Sequence, residues 1–283
     1  MDFRSAGEPD LPAIRQLLRA ANDTPWNLER TAREKCFEPG PLGPPEAIVA
    51  EESGVLLGVS VATSRALRLL AVHPERRREG IGSELLSRSL QRAPGRFVVY
   101  GEAGNYFLPG VPENDPGTLS FFRSRGFSEE AEAAVNLVIP LHGNPKIPDA
   151  PPMGVERGSE AEGDAIAGFV AAKFGQAWAW EVSRAIENDP PTLFIVRGDD
   201  GGLAGFAAHE ANNRGLGFFG PMGVDPSGRG RGSGRSLLLA SLSDLKRLGY
   251  REAVISWAAN HQFYDRVAGV GREHRMIRFW TVR

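Results

Sequence analysis

One eleven-residue phrase occurs twice in this chain, the copies 152 positions apart. The first reads Val72-His73-Pro74-Glu75-Arg76-Arg77-Arg78-Glu79-Gly80-Ile81-Gly82, and the second Val224-Asp225-Pro226-Ser227-Gly228-Arg229-Gly230-Arg231-Gly232-Ser233-Gly234. Both end on Arg-x-x-Gly-x-Gly, between an apolar stretch and a helix-forming one. The match continues into that helix, where Leu85, Leu86, Ser89 and Leu90 recur as Leu237, Leu238, Ser241 and Leu242. A register kept over this length reads as duplication of a whole strand–loop–helix module. A fold of two copies follows.

Three properties suit the loop to a pyrophosphate. Glycines at its fourth and sixth positions let the backbone approach an anion with no Cβ in the way. The helix that follows aims unpaired N–H groups and the positive end of its dipole at the same point. Arg77, or Arg229 in the second copy, adds a fixed positive charge. Neither copy carries the Gly-Lys-Ser/Thr of a P-loop, and neither has the early strand and acidic partner of a dinucleotide-binding turn. Arg229-Gly230-Arg231 is flanked by an ordered strand and helix, unlike a nucleic-acid-binding Arg-Gly segment.

Periodicity and punctuation predict the same order of elements in both halves. The first half has a strand at 3–6, helices from 8 and over 28–37, and strands at 47–51, 55–62 and 67–72. The loop-borne helix over 80–92 follows, then a strand at 97–102, an irregular Pro/Gly-rich stretch at 103–112, a short helix at 119–125 and a last strand at 134–140. Residues 140–152 hold five prolines and read as an extended linker. The second half has a strand near 155, helices over 160–173 and 178–186, and strands at 192–197, 203–210 and 216–224. It ends with a helix over 232–248, a strand at 253–257, a short helix around Phe263 and Tyr264, and a strand over 275–282. The predicted organisation is an α/β chain with modules at 1–141 and 153–283 and a linker at 142–152.

Composition narrows the function classes. The 283 residues suit two ordinary domains, and 41% apolar content is enough for a core in each. A net charge of −2 gives no footprint for nucleic acid or a membrane surface. The single cysteine, Cys36, cannot form an internal disulfide and reads as a small core residue, so a reducing, cytoplasmic setting is expected. The five histidines, at 73, 142, 209, 261 and 274, lack ligand spacing, so no metal site is expected.

The element order and both loops resemble the GNAT N-acyltransferase superfamily, whose signature is Gln/Arg-x-x-Gly-x-Gly/Ala. Two modules in one chain resemble the organisation of the mycothiol synthase family and other tandem members. The resemblance implies a mixed twisted sheet flanked by helices in each module, with acetyl-CoA or another acyl-CoA as co-substrate. The implied contacts to the pantetheine arm come from the strand before each loop: Leu70, Ala71 and Val72, or Met222, Gly223 and Val224. Those to the pyrophosphate come from Arg77, Arg78, Glu79, Gly80, Ile81, Gly82 and Ser83, or from Arg229, Gly230, Arg231, Gly232, Ser233, Gly234 and Arg235.

The same resemblance implies a proton donor for the departing thiolate, a tyrosine in a Phe/Leu-Tyr-x-x-x-Gly phrase. Phe263-Tyr264-Asp265-Arg266-Val267-Ala268-Gly269 carries one, whereas the first half has Phe121-Phe122. For the base, Glu210 is the nearest candidate in the second half, with Glu102, near Tyr106, the alternative in the first. His261 reads as a helix-start residue. Trp178 and Trp180, and the rigid stretch from Tyr106 to Pro112, are candidate acceptor contacts or packing groups. The expectation is acyl transfer, most simply of acetyl, to a primary amine of a small molecule, with the second module the catalyst. The alternatives are catalysis by the first module with a regulatory second, or a CoA-binding sensor with no turnover. The sequence leaves the oligomeric state open.

Overall fold

The computed structural model describes residues 1–21, 29–226 and 230–282, so Arg229 of the second loop lies outside the described residues. The chain divides into two compact units, Met1–Ala134 with Arg275–Arg283, and Val135–His274.

Unit 1 begins with β1 (Asp2–Ser5), α1 (Leu11–Ala21) and α2 (Glu29–Cys36). In α1, Leu11, Ile14, Leu17 and Leu18 fall on one face and are buried, as spacings of three and four dictate. β2 (Glu46–Glu52), β3 (Val55–Ala62) and β4 (Ala66–Val72) form an antiparallel meander. Next come α3 (Ile81–Leu90), β5 (Arg96–Val99), β6 (Val111–Pro112), α4 (Pro116–Arg123) and β7 (Ser128–Glu129). All of β3 after its first residue is buried, because helices cover both faces of its sheet.

β8 (Ala134–Pro140) passes into unit 2, which continues with β9 (Glu156–Arg157), α5 (Gly163–Phe174) and α6 (Gln176–Ile186). Strands β10 (Leu193–Arg197), β11 (Leu203–His209) and β12 (Phe218–Val224) repeat the meander. They lead to α7 (Ser233–Arg247), β13 (Glu252–Ile255) and α8 (His261–Ala268). β14 (Arg272–Ile277) and β15 (Phe279–Val282) end the chain.

The closing strands are exchanged relative to chain order. β8, expected to complete the first module, lies antiparallel to β13 of unit 2, with Ile139 opposite Ala253 and Leu137 opposite Ile255. β15, expected to complete the second, pairs with β5 and β7 of unit 1, and Trp280 lies opposite Val98. The expected boundaries therefore shift. β8 is buried at six of its seven positions, the pattern of an interior strand, and that pattern fits either sheet equally well. The expected linker is also structured in part: Leu141 and Ile147 are buried in the core of unit 2 with Leu238, Leu242 and Val267.

The feature that positions the site is a parallel pair in each sheet. β4 runs parallel to β5, but only Ala66 and Leu67 pair, with Val98 and Val99. β12 runs parallel to β13, and only Phe218 and Phe219 pair, with Val254 and Ile255. Beyond those residues the strands part. A wedge opens in each sheet, bounded by the strand that delivers the loop.

Candidate active site

The wedge leaves backbone groups without a strand partner. His73 donates its N–H to Leu57 at 2.8 Å, which makes those two a hydrogen-bonded pair of the β3–β4 ladder. Such pairs alternate along an antiparallel ladder. Leu70 and Val72, opposite Ser60 and Gly58, therefore turn their N–H and C=O groups into the wedge, while Ala71 turns its own toward Val59. In unit 2, Asp225 donates to Ala204 at 2.8 Å. The same alternation sends the groups of Met222 and Val224 into the wedge and those of Gly223 toward Phe206. An amide-bearing chain laid in either wedge meets two strand residues.

At the end of each wedge a helix begins. Gly80, the N-cap of α3, has φ +86°, and Gly232, the N-cap of α7, has φ +82°, a left-handed conformation that side chains disfavour. A Cβ at Gly82 would lie 3.4 Å from Val72 and 3.5 Å from Phe121, and one at Gly234 would lie 3.8 Å from both Val224 and Phe263. The two loops are thus built alike, with Phe121 and Phe263 in matching places. In the first loop Glu79 is held by Arg76, which also pairs with Glu52 at 2.8 Å. Arg77 donates to Ala21 O at 2.9 Å. In the second, Arg231 pairs with Asp199 at 2.6 Å on an exposed surface.

The residue after each phenylalanine differs between the two units. Tyr264, in the first turns of α8, packs edge-on against Phe219, the last paired residue of β12, with centroids 6.5 Å apart. Its hydroxyl has no hydrogen-bond partner among the described residues, and burial pushes its pKa up to about 12. Phe122, in the corresponding place on α4, is fully buried against Tyr100, Phe127 and Phe279.

Comparison with known proteins agrees with this fold. Residues 161–270 match the acetyltransferase (GNAT) family and residues 44–129 match the acetyltransferase (GNAT) domain, together more than half of the chain. The chain belongs to the GNAT acetyltransferase family. It is 26% identical over 268 residues to a mycothiol acetyltransferase of Geodermatophilus obscurus, covering 86% of this chain and 84% of that protein. A tandem GNAT protein from the clavulanic acid biosynthesis pathway superposes with a TM-score of 0.73 at 19% identity, over 99% of this chain and 98% of that one. A GCN5-related glucosamine N-acetyltransferase region of a fungal multi-domain β-N-acetylglucosaminidase gives 0.77 at 18% identity over 98% of this chain, which spans 38% of that protein. The protein is a tandem-module, acyl-CoA-dependent N-acetyltransferase.

Within this GNAT frame the two candidate carboxylates have other geometry than a solvated base. Glu210, just after β11, has φ +52° and is buried. Its carboxylate accepts from the N–H groups of Gly215 and Gly217 and from the Tyr250 hydroxyl at 2.9 Å. Burial raises its pKa, and those three donors oppose the rise. Glu210 closes its own turn. Its neighbour His209 is buried against Asp244, at 3.1 Å, on the helix side of the sheet.

Glu102 is likewise committed. Both its oxygens bond Arg68, at 2.6 and 2.8 Å, and neither side chain reaches solvent. Arg68 further donates to Glu38 O at 2.8 Å. A Cβ on Gly40 would fall 2.7 Å from each partner of the pair, so the covering loop sits directly on it. Lys35 is buried nearby, with Glu34 at 2.6 Å and Asn105 at 2.7 Å.

Arg68 was missed by sequence reasoning. It is the first residue of β4 beyond the paired stretch, where the wedge opens, and its guanidinium bonds Glu102, which follows β5. The corresponding residue of β12 is Gly220, where an added Cβ would meet nothing within 4 Å. A lone arginine in an apolar strand was the available signal. His261 starts α8, and Asn260 caps that helix by accepting from Phe263 N at 3.1 Å. Trp178 is 38% exposed and stacks on Phe174, which lies against Gly223. Cys36 is fully buried, and burial pushes its thiol up to about 12, as suits a core residue. Among the described residues, no helix is long and apolar enough to cross a membrane and no side-chain group is arranged to hold a metal.

Proposed function

We propose that the C-terminal module transfers an acetyl group from acetyl-CoA to a primary amine of a small molecule, with Tyr264 as the proton donor. The observation that carries this reading is the contrast at the wedge. Module 2 has Gly220 and an unengaged tyrosine hydroxyl there, whereas module 1 has a buried Arg68–Glu102 pair and a buried phenylalanine. An acceptor can reach a thioester only where the wedge is open.

In this reading the backbones of Met222 and Val224 hold the pantetheine amides, and the N–H groups at Gly232, Ser233 and Gly234 hold the pyrophosphate. The uncharged amine attacks the thioester carbonyl carbon. As the C–N bond forms the nitrogen becomes cationic; the C–S bond then breaks, the departing thiolate takes its proton from Tyr264 Oη, and the nitrogen's surplus proton passes through water to restore Tyr264. A tyrosine pKa near 12 keeps that proton in place through neutral and mildly alkaline pH. Glu210 serves the fold, and the acceptor ammonium loses its proton through water. The name of the Geodermatophilus relative, mycothiol acetyltransferase, supports a small-molecule acceptor.

Tyr264→Phe tests the assignment. A general acid is worth roughly 10²–10⁴-fold, so kcat should fall by that order while the Kd for acetyl-CoA stays unchanged. The wild-type rate should rise with pH along the acceptor's own titration, with no descending limb from Tyr264 at mildly alkaline pH. Undiminished turnover in the variant, measured over a library of amines by mass spectrometry, would remove the reading.

A further inference from the structure

The register that duplicates the loops also matches the ends of the sheets away from them, and there the side chains differ. Ala62 of β3 lies opposite Leu67, as His209 of β11 lies opposite Phe219. Ile48 of β2 lies opposite Ser60, as Phe194 of β10 lies opposite Ala207. The same 152-residue offset sets Arg92, just after α3, against Asp244 of α7, and Pro44-Pro45 match Pro190-Pro191 ahead of the strands.

In unit 2 these positions are filled. His209 is fully buried, its ring stacks on Phe194 with centroids 6.0 Å apart, and its Nε2 lies 3.1 Å from Asp244. The Arg157 guanidinium lies 4.7 Å from the Phe194 centroid and donates to Asp244 at 2.8 Å. Two planar nitrogen groups thus meet on one carboxylate beside an aromatic ring. In unit 1 the corresponding groups are smaller. Ala62 stands for His209 and Ile48 for Phe194, while Ser5, opposite Ile48, stands where Arg157 lies opposite Phe194. A pocket of about 290 Å³ remains, close to the lower bound for ligand sites. Ile48 and Ala62 form its buried floor, Pro44 and Pro45 a wall, and Glu46 and Arg92 its rim.

The carboxylate of this pocket is Glu46. Its one ion-pair partner among the described residues is Arg92, at 2.8 Å, and the Arg92 side chain is 70% exposed against 27% for Glu46. A pair with so exposed a member is weak, so Arg92 is readily displaced. The C-terminal end of α3 adds the negative end of its dipole, which favours a cation there over an anion. We propose that this pocket binds a small aromatic cation, an amidinium or imidazolium whose flat body lies over Ile48 and Ala62 and whose N–H groups donate to Glu46 in place of Arg92. The ligand brings from solution what His209 and Arg157 supply in unit 2. The site shares no residue with either wedge or either loop, so it stands apart from the proposed acetyl transfer.

Titration of the full chain with benzamidine, followed by amide chemical shifts, tests this, with benzoate and benzyl alcohol as anionic and neutral probes of similar size. Benzamidine should bind about tenfold or more tightly than either, because its bond to Glu46 is charge-assisted. Glu46→Gln, a change at the rim, should weaken it by about tenfold. Ala62→His should abolish binding, since an imidazole then fills the slot as in unit 2. Thermal melts report whether each variant is folded, and Glu46→Gln decides the matter if Ala62→His is not. No shifts with benzamidine at millimolar concentration, benzoate bound as well as benzamidine, or an affinity unchanged in either folded variant would overturn the inference.

Discussion

The two wedges are alike in backbone and opposite in content. Each is made by a parallel strand pair that separates after two residues, and each ends on a glycine-capped helix. At the first unpaired position one module has glycine and the other arginine. Gly220 leaves its position open while Arg68 is buried against Glu102, so in the proposed reading both loops bind and only the second module turns over. The duplicated phrase reports only on the first of these.

The sharpest break of the comparison is to offer module 1 the missing acid. Phe122→Tyr combined with Tyr264→Phe should remain down by roughly 10²–10⁴-fold, because Arg68 and Glu102 still occupy the approach. Recovery in steady-state assays would show that the plug is no barrier. Next in size is the plug itself. Arg68→Ala strands a buried carboxylate and should cost about 3–5 kcal/mol in urea denaturation, whereas Arg68→Met with Glu102→Leu should restore most of it. If the single variant is neutral, the pair is not holding the wedge shut.

Smaller effects separate fold from chemistry in module 2. Glu210→Gln leaves part of a three-donor site unsatisfied and should lower stability by about 1–3 kcal/mol, with kcat per folded molecule unchanged. A collapse of kcat at full stability would return Glu210 to the base role. The least effect at neutral pH concerns Asp244. Burial works to raise its pKa, but bonds from His209 and Arg157 outweigh that and hold it below the usual carboxylate range. The folded state therefore binds the proton less well than the unfolded one. Its contribution is present above the unfolded pKa of about 3.9 and is lost as pH falls toward the lower folded value. Thermal melts should show an acid-side loss of stability that Asp244→Asn reduces.

Much of this was legible in the residues. The loops, the order of elements and the contrast of Tyr264 with Phe122 all follow from local patterns, glycine spacing above all. What was not legible depends on partners far apart in the chain. β8 and β15 are apolar strands that satisfy either sheet, so their exchange is decided by tertiary register and not by composition. Glu102 and Glu210 read as strand-end carboxylates, since Arg68 and Tyr250, which donate to them, lie 34 and 40 positions away. Arg68 itself looked like a polar interruption. Leu141 and Ile147 were hidden by the prolines around them.

The central claim is that transfer takes place at the glycine-lined wedge alone. The most direct measurement compares turnover of Gly234→Glu with that of Gly82→Glu, two helix-start substitutions at non-strained positions of matching loops. The account predicts loss of acetyl transfer in the first and turnover within a few-fold of wild type in the second. Loss in the second with activity kept in the first would contradict it.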